Sequence, residues 1–322
     1  MQTPQRILIV KSSSMGDVVH ALPVAYDIKK AFPDARLDWV VEESFQDIPR
    51  LSPFVDKTVI TAFRRWRKQL LDKGTLAEIA DVRKELRIAH YDVVIDLQGL
   101  IRSAVVTSWA NARSFGYSRD VAREPLASFF YSQKFSVPEA LRPVRRYRVL
   151  ASRALGYAID EDAPHYGLVV GTPPSEVELP ANFVALAPNT SRVEKLWAED
   201  RWVALGKRFL EEGLAPAFFW GSETERERVE RLARIIGSSV VLPRMRLADC
   251  AAVIAKARAM IGVDTGLAHL GAALAVPSVG IIVGTSAHLF SLVSEGKAVT
   301  VGDKGVVPSV DAVWRAYEEV VK

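Results

Sequence analysis

The feature that most constrains this chain is a strand-then-helix alternation that runs, stops once, and starts again. Short apolar runs at 6–10, 36–41, 57–61 and 91–96 are separated by helical stretches at 17–31, 66–87 and 100–110. Nearly continuous apolar runs are strands buried on both faces, and strands alternating with helices make a covered parallel sheet. The rhythm breaks at Gly171-Thr-Pro-Pro-Ser175 and Pro180, the best linker in the chain. It resumes with strands at 183–187, 215–220, 240–242, 259–263 and 278–283, and helices at 201–212 and 224–236. At the end, Val310, Val313, Trp314, Tyr317 and Val321 share one helical face behind Ser309 as N-cap. The fold expected is α/β, with two doubly wound domains at 1–170 and 171–308. Residues 309–322 are expected to form a helix returning towards the first domain. Ligands are expected in an interdomain cleft, because strand C-termini and helix N-termini point there.

Charge narrows the partners. The 322 residues carry a net charge of only +4, but residues 64–153 hold 18 Lys/Arg and 9 Asp/Glu, so that stretch is +9 and the remainder −5. A basic middle suits an anionic partner. Its densest part is Arg64-Arg-Trp-Arg-Lys68. It belongs to no nucleic-acid motif and has little aromatic interleaving, so no nucleic-acid partner is expected. A single cysteine, Cys250, excludes an internal disulfide framework and a multi-cysteine zinc site. The apolar stretch 262–284 contains Asp264, His269 and Pro277 and makes a poor membrane span. With no long apolar leader before the first strand, the expectation is a soluble cytoplasmic protein.

Four loops can carry chemistry. The first strand leads through Lys11-Ser-Ser-Ser-Met-Gly-Asp17 into a helix, where a dinucleotide fingerprint would sit, but G-x-G-x-x-G is absent. Asp17 there is either a first-turn carboxylate of the helix or a general base. In Val263-Asp-Thr-Gly-Leu-Ala-His269 a strand turns into a helix whose free N–H groups suit a pyrophosphate. Thr265 adds a hydroxyl, Gly266 allows close approach, and Asp264 suits sugar hydroxyls or a plain cap. The loop 188–197 gathers Thr190, Ser191, Arg192 and Lys195, and Glu225 fits a ribose or a helix start. Asp160-Glu-Asp162 reads as a solvated turn, and no metal ligand set is evident.

Taken in order, Lys11-Ser-Ser-Ser-Met-Gly-Asp-Val-Val-His20, Val40-Val-Glu-Glu43, Arg64-Arg-Trp-Arg-Lys68, Asp96-Leu-Gln-Gly-Leu100, Ala122-Arg-Glu-Pro-Leu-Ala-Ser128 and Val263-Asp-Thr-Gly-Leu-Ala-His-Leu270 resemble the lipopolysaccharide heptosyltransferases. These are the inverting ADP-heptose transferases of glycosyltransferase family 9. The third and fifth strings resemble the type I enzymes that add the first heptose. The resemblance runs from about residue 6 to about residue 276. After Pro277 the family's Gly-Pro-Thr-Asp-Pro turn is replaced by Gly284-Thr-Ser-Ala-His288. The resemblance implies the GT-B architecture of two facing Rossmann-like domains. It also implies transfer of heptose from ADP-L-glycero-β-D-manno-heptose to the inner Kdo of Kdo2-lipid A. Asp17 matches the catalytic base. Thr190, Ser191, Lys195, Glu225, Met245, Asp264, Thr265, Gly266 and His269 match donor contacts, with Lys195 and a helix N-terminus facing the departing ADP. Arg64, Arg65, Arg67, Lys68, Gln98 and Arg123 are assigned to the acceptor. No cofactor or metal is expected, and a lipid acceptor implies transient contact with the cytoplasmic face of the inner membrane. The residues alone leave open a related transferase using another nucleotide sugar. They also leave open a non-catalytic sugar-nucleotide or lipopolysaccharide binding protein.

Overall fold

In the computed structural model, which describes residues 3–322, the chain divides into two units, the first ending at Val169 and the second spanning Val170–Lys322. The first is built in the order β1 (Arg6–Val10), α1 (Met15–Ala31), β2 (Arg36–Glu42), α2 (Asp47–Arg50), β3 (Lys57–Thr61), α3 (Phe63–Trp66), α4 (Lys73–Ile88), β4 (Val93–Asp96), α5 (Ile101–Trp109), β5 (Arg113–Tyr117), β6 (Gln133–Phe135) and α6 (Pro143–Leu155). Its six strands form one sheet in the order β3-β2-β1-β4-β5-β6, parallel throughout. β1 is flanked by β2 on one side and β4 on the other, so the winding direction reverses there. That is the switch point, and it opens a crevice beyond the C-terminal ends of β1 and β4.

The second unit continues with β7 (Phe183–Ala187), α7 (Glu199–Glu211), β8 (Ala215–Phe218), α8 (Glu223–Ile236), β9 (Val240–Val241), α9 (Leu247–Ile254), β10 (Met260–Val263), α10 (Gly266–Ala273), β11 (Ser278–Ile281), α11 (Ala287–Phe290), β12 (Ala298–Val301) and α12 (Val310–Val321). The sheet order is β12-β11-β10-β7-β8-β9, again all parallel. Here the switch falls between β7 and β10. In both sheets the central strands are buried from end to end, which is why they read as unbroken apolar runs.

Two expectations need correction. The helix foreseen over 66–87 is two pieces. Trp66 ends α3, and Asp72 starts α4 by accepting the Thr75 N–H at 2.8 Å, so the chain is extended at the cap. Each N-cap bond of this kind stabilises a helix start by about 1 kcal/mol, enough to fix the break. The terminal helix, expected to return to the first domain, belongs to the second unit. α12 buries Val313, Trp314 and Tyr317 against Phe209 of α7 and the β11–β12 edge, with ring centroids 4.9–5.2 Å apart. Its predicted cap holds: Ser309 accepts the Ala312 N–H. Three strands and four helices carried no signal that was read: β5, β6, β12, α2, α6, α9 and α11.

Candidate functional sites

Both switch points carry the candidate residues. In the first unit, Asp17 sits in the first turn of α1. Its Oδ2 accepts the Ser14 backbone N–H and the Ser14 hydroxyl, both at 3.1 Å. The capping reading is therefore correct as far as it goes. The other oxygen, Oδ1, accepts the Tyr147 hydroxyl at 3.0 Å and lies 4.0 Å from the Lys11 ammonium. Lys11 is 2% exposed and rests over the Tyr147 ring at 4.4 Å. Burial alone would raise the Asp17 pKa, but Lys11, then His20, the Ser14 N–H and Tyr147 outweigh it and bring it down to about 2. Burial in turn lowers the Lys11 pKa, while Asp17 and Asp96 oppose that. A helix cap needs neither a buried lysine nor a tyrosine from α6. This carboxylate is held ionised and is still a quarter exposed.

Neither Lys11 nor Tyr147 was singled out in the sequence. Tyr147 is 130 residues from Asp17, and α6 reaches α1 through a buried pair in which Arg148 donates to Asp27 at 2.7 and 3.1 Å. The sequence did mark α6, with Pro143 at its first turn and Gly156 just past its end.

Gln98 is buried behind the same crevice. Its Oε1 accepts the Ser13 N–H at 3.2 Å, so it fixes the β1–α1 loop. Asp96 holds that turn by accepting the Gln98 and Gly99 N–H groups at 2.7 and 3.1 Å, and Gly99 adopts φ +68°, which suits glycine. A cavity of about 730 Å³ opens here, lined by Ser13, Ser14, Gln98, Arg102 and Arg123 among others. Arg102 was missed by sequence reasoning. It donates to the Ser13 hydroxyl at 2.9 Å and lies 5.9 Å from the Phe63 ring centroid, which joins the cavity to the basic segment.

Within that segment the cations differ. Arg64 is exposed, with its guanidinium over the Phe45 ring at 5.0 Å. Arg67 and Lys68 are exposed. Arg65 is already engaged. It donates two hydrogen bonds to Glu78, at 2.9 and 2.8 Å, and one to Glu43 at 3.2 Å, and these partners raise its pKa. Its charge is balanced locally, against its expected role as an acceptor ligand.

In the second unit the centre is Asp264, at the end of β10. Lys195 donates to its Oδ2 at 2.7 Å and the Thr285 hydroxyl donates to the same oxygen at 2.8 Å. His269 Nε2 lies 3.5 Å from Oδ1, and the Thr190 hydroxyl donates to the Asp264 carbonyl at 3.3 Å. Burial raises the Asp264 pKa, but the hydrogen bonds from His269 and Lys195 outweigh it and hold the carboxylate well below the usual range. Thr265 is the N-cap of α10, and Gly266 is its first residue. Lys195 lies 5.7 Å from the Phe290 ring centroid. Its loop is pinned at both ends by Arg228, which donates to the Pro188 carbonyl at 3.1 Å and the Trp197 carbonyl at 2.9 Å. Asp264, Lys195, Thr190, Thr265, Gly266 and His269 thus converge. Ser191 is exposed on the same loop, and Met245 is half-buried between β9 and α9.

Glu225 is a helix-starting residue. Its Oε2 accepts the Gly221 and Ser222 N–H groups at 2.7 and 3.3 Å, while the Ser222 hydroxyl accepts the Glu225 N–H. Thr285, in the segment where the sequence leaves its resemblance, was not foreseen. The Asp160–Asp162 turn pairs with Arg145, and among the described residues no group of three His, Cys, Asp or Glu side chains is placed to hold a metal.

Comparison with known proteins gives the family and the fold. The model of glycosyltransferase family 9 (heptosyltransferase) matches residues 79–314. Lipopolysaccharide heptosyltransferase 1 of Pseudomonas aeruginosa is 42% identical over 277 residues, covering 86% of this chain and 78% of that one. The structure of Escherichia coli heptosyltransferase WaaC with ADP superposes with a TM-score of 0.88 at 34% identity, covering 98% of this chain and 99% of that one. The same enzyme with ADP-2-deoxy-2-fluoro heptose gives 0.85 over the same shares.

Proposed function

Because the chain belongs to glycosyltransferase family 9, the heptosyltransferases, we propose that it moves L-glycero-D-manno-heptose from ADP-heptose to the inner Kdo of Kdo2-lipid A. It is a glycosyltransferase of lipopolysaccharide synthesis, of GT-B fold.

The observation that carries the mechanism is the Asp17 carboxylate. It is ionised down to about pH 2 and tied through Ser14 to the wall of a cavity that also presents Arg102 and Arg123. In the reaction an acceptor hydroxyl attacks the anomeric carbon of the donor. Its proton goes to Asp17, and the electron pair of the C1–O bond leaves with the β-phosphate of ADP. A single displacement inverts a β-linked donor into an α-linked product, so one base suffices. A pKa of about 2 is low for a base in the resting protein. Two effects compensate. The attacking hydroxyl becomes acidic as it bonds to an oxocarbenium-like carbon, and an acceptor bearing carboxylates raises the Asp17 pKa by proximity.

On the donor side, Lys195 has three N–H donors. It keeps one on Asp264 and offers the others to the pyrophosphate, whose charge grows as the bond breaks. The N-terminus of α10 at Thr265 and Gly266 adds backbone N–H groups. With these charges in place the reaction needs no metal. Arg64, Arg67, Lys68 and Arg123 serve the phosphates and carboxylates of the acceptor. The working place is the cytoplasmic face of the inner membrane; no described helix is long and apolar enough to cross a bilayer.

The test is transfer from ADP-heptose to Kdo2-lipid A, followed by mass spectrometry of the product, with and without EDTA. Transfer should survive chelation. Asp17→Asn should lower kcat by about 10²–10⁴-fold while ADP affinity changes less than about twofold. An Asp17→Asn variant keeping a third of wild-type kcat would remove the base from the mechanism.

A further inference from the structure

The acceptor cavity lies at the C-terminal edge of the first sheet, and that edge carries apolar side chains that nothing in the fold covers. The turn over residues 67–72 and the first turn of α4 expose Leu70, Leu71 and Leu76, with Leu71 94% exposed. Ile101 opens α5 at the same edge, next to the cavity that it helps to line. Leu126 follows at the start of the short 3₁₀ helix Pro125–Phe130, which packs on α5, and α5 packs on α4. Five of the thirteen large apolar side chains exposed among the described residues therefore fall along one edge of a six-stranded sheet. Scattered exposed leucines need no explanation, but two at the tip of a turn with a third one helical turn on form a cluster.

The turn itself is fixed. Trp66 is buried, with its indole N–H on Glu78, and Asp72 caps α4. Between these anchors the chain has to present Leu70 and Leu71 outward. Around them stand Arg67, Lys68 and Lys73, all exposed. An apolar tip ringed by cations complements an interface with acyl chains below and anionic headgroups around it. Leucines partition into the acyl boundary while Lys and Arg stems reach back to phosphates.

We propose that the 67–76 turn is a membrane-docking element: Leu70, Leu71 and Leu76 enter an anionic bilayer, and the flanking cations hold its headgroups. Docking sets the cavity edge against the surface from which a lipid-linked acceptor would be drawn. The purpose rests on the lipid-acceptor reading above; the binding itself does not, and its test needs no substrate.

Wild-type protein is mixed with sucrose-loaded vesicles of phosphatidylglycerol and phosphatidylcholine, free of any acceptor, and sedimented at physiological salt. It should partition onto vesicles with a high phosphatidylglycerol content and fall off as phosphatidylcholine replaces it. Leu70→Asn/Leu71→Asn removes no charge, and both positions are exposed, so the fold should hold. It should lower the partition coefficient at least about tenfold. Its kcat/KM on a deacylated, soluble acceptor should stay within about twofold of wild type. Leu76→Asn, tested separately, should give a smaller loss in the same direction. The proposal is overturned if wild type does not partition, or if the double variant partitions as wild type does. It is also overturned if wild type self-associates at tens of micromolar and the double variant does not, because a second copy then covers the leucines. Transfer by wild-type protein that does not bind vesicles removes this proposal alone; vesicle binding by wild type without any transfer removes the transferase reading and leaves this one standing.

Discussion

Lys11→Met tests whether the buried lysine is what holds Asp17 ionised. Methionine keeps the unbranched stem over the Tyr147 ring and deletes the ammonium, 4.0 Å from Asp17 Oδ1. A unit charge pair at that separation is worth about 4 kcal/mol at an effective dielectric of about 20. Asp17 is a quarter exposed, so solvent screening trims this to about 3 kcal/mol. At about 1.4 kcal/mol per pH unit, the Asp17 pKa should climb from about 2 to about 4. Burial, the strongest influence on this group, then works against only His20, Ser14 and Tyr147. The assay is a carbon-13 carboxyl titration, with the Asp17 signal assigned by its loss in Asp17→Asn. A second readout is kcat/KM at pH 4 against pH 7. Wild type should keep its ratio, because Asp17 stays ionised at both. The variant should lose about half of its kcat/KM at pH 4, because half of its Asp17 is then protonated. An Asp17 titration within about half a pH unit of wild type would show that the Ser14 and Tyr147 hydrogen bonds hold the carboxylate and the lysine does not.

Three further outcomes can be measured. Lys195→Ala removes a charge-assisted contact worth about 1.5–3 kcal/mol, so steady-state kcat should fall about 10- to 150-fold, and more than ADP affinity falls; equal losses in both would make the lysine a plain binding group. Gly284→Ala would drive a Cβ into the Glu194 carbonyl oxygen, so the loop carrying Thr285 has to shift. ADP affinity by calorimetry should drop and stability should fall by about 1–3 kcal/mol, whereas an unchanged Tm would mean that the loop does not pack as described. Asp17 and Asp264 have folded pKa values below their unfolded ones, so the stabilisation they give is complete above about pH 4 and is lost as pH falls through the folded values, about 2 for Asp17 and well below the usual carboxylate range for Asp264. Urea midpoints should be flat between pH 5 and 7 on this account and decline below 4. Asp264→Asn should flatten the decline, and an unaltered slope would count against the Lys195–Asp264 pair.

How much of this was legible in the sequence depended on how local the signal was. β1, β7 and β10 are continuous apolar runs because both faces are buried, and pattern alone finds such strands. β5, Arg-Ser-Phe-Gly-Tyr, and β6, Gln-Lys-Phe, lack that run. β6 is the edge strand, and its first two side chains stay exposed. The break between α3 and α4 was missed because Arg67 to Leu71 keep the charge and hydropathy of a helix. What marks the new start is one carboxylate, Asp72, which caps α4, and helical periodicity does not register a cap. On the donor side, Asp264, Thr265 and Gly266 are consecutive and Lys195 sits on the matching loop of the neighbouring strand. Two adjacent strand ends therefore contain almost the whole cluster, and reading strand ends was enough.

The site of the first unit resisted the same reading because its chemistry is set by burial and by partners far away in the chain. Lys11 and Arg64 are both cations just past a strand, yet one is 2% exposed and the other lies at the surface. Only the first modulates a carboxylate. Within Arg64-Arg-Trp-Arg-Lys68 the count of positive charges overstates what an anionic ligand meets. Glu78 and Glu43 have claimed Arg65, and Glu78 also takes the Trp66 indole. That pair is exposed, so it contributes little to stability; what it does is hold the segment's conformation while its neighbours stay available. The positive field offered to an anionic ligand then comes from Arg64, Arg67 and Lys68 along the turn and from Arg102 and Arg123 at the cavity, two groups joined through Phe63. Charge density along a sequence locates such a surface, but the acids opposite each cation decide which charges remain to bind.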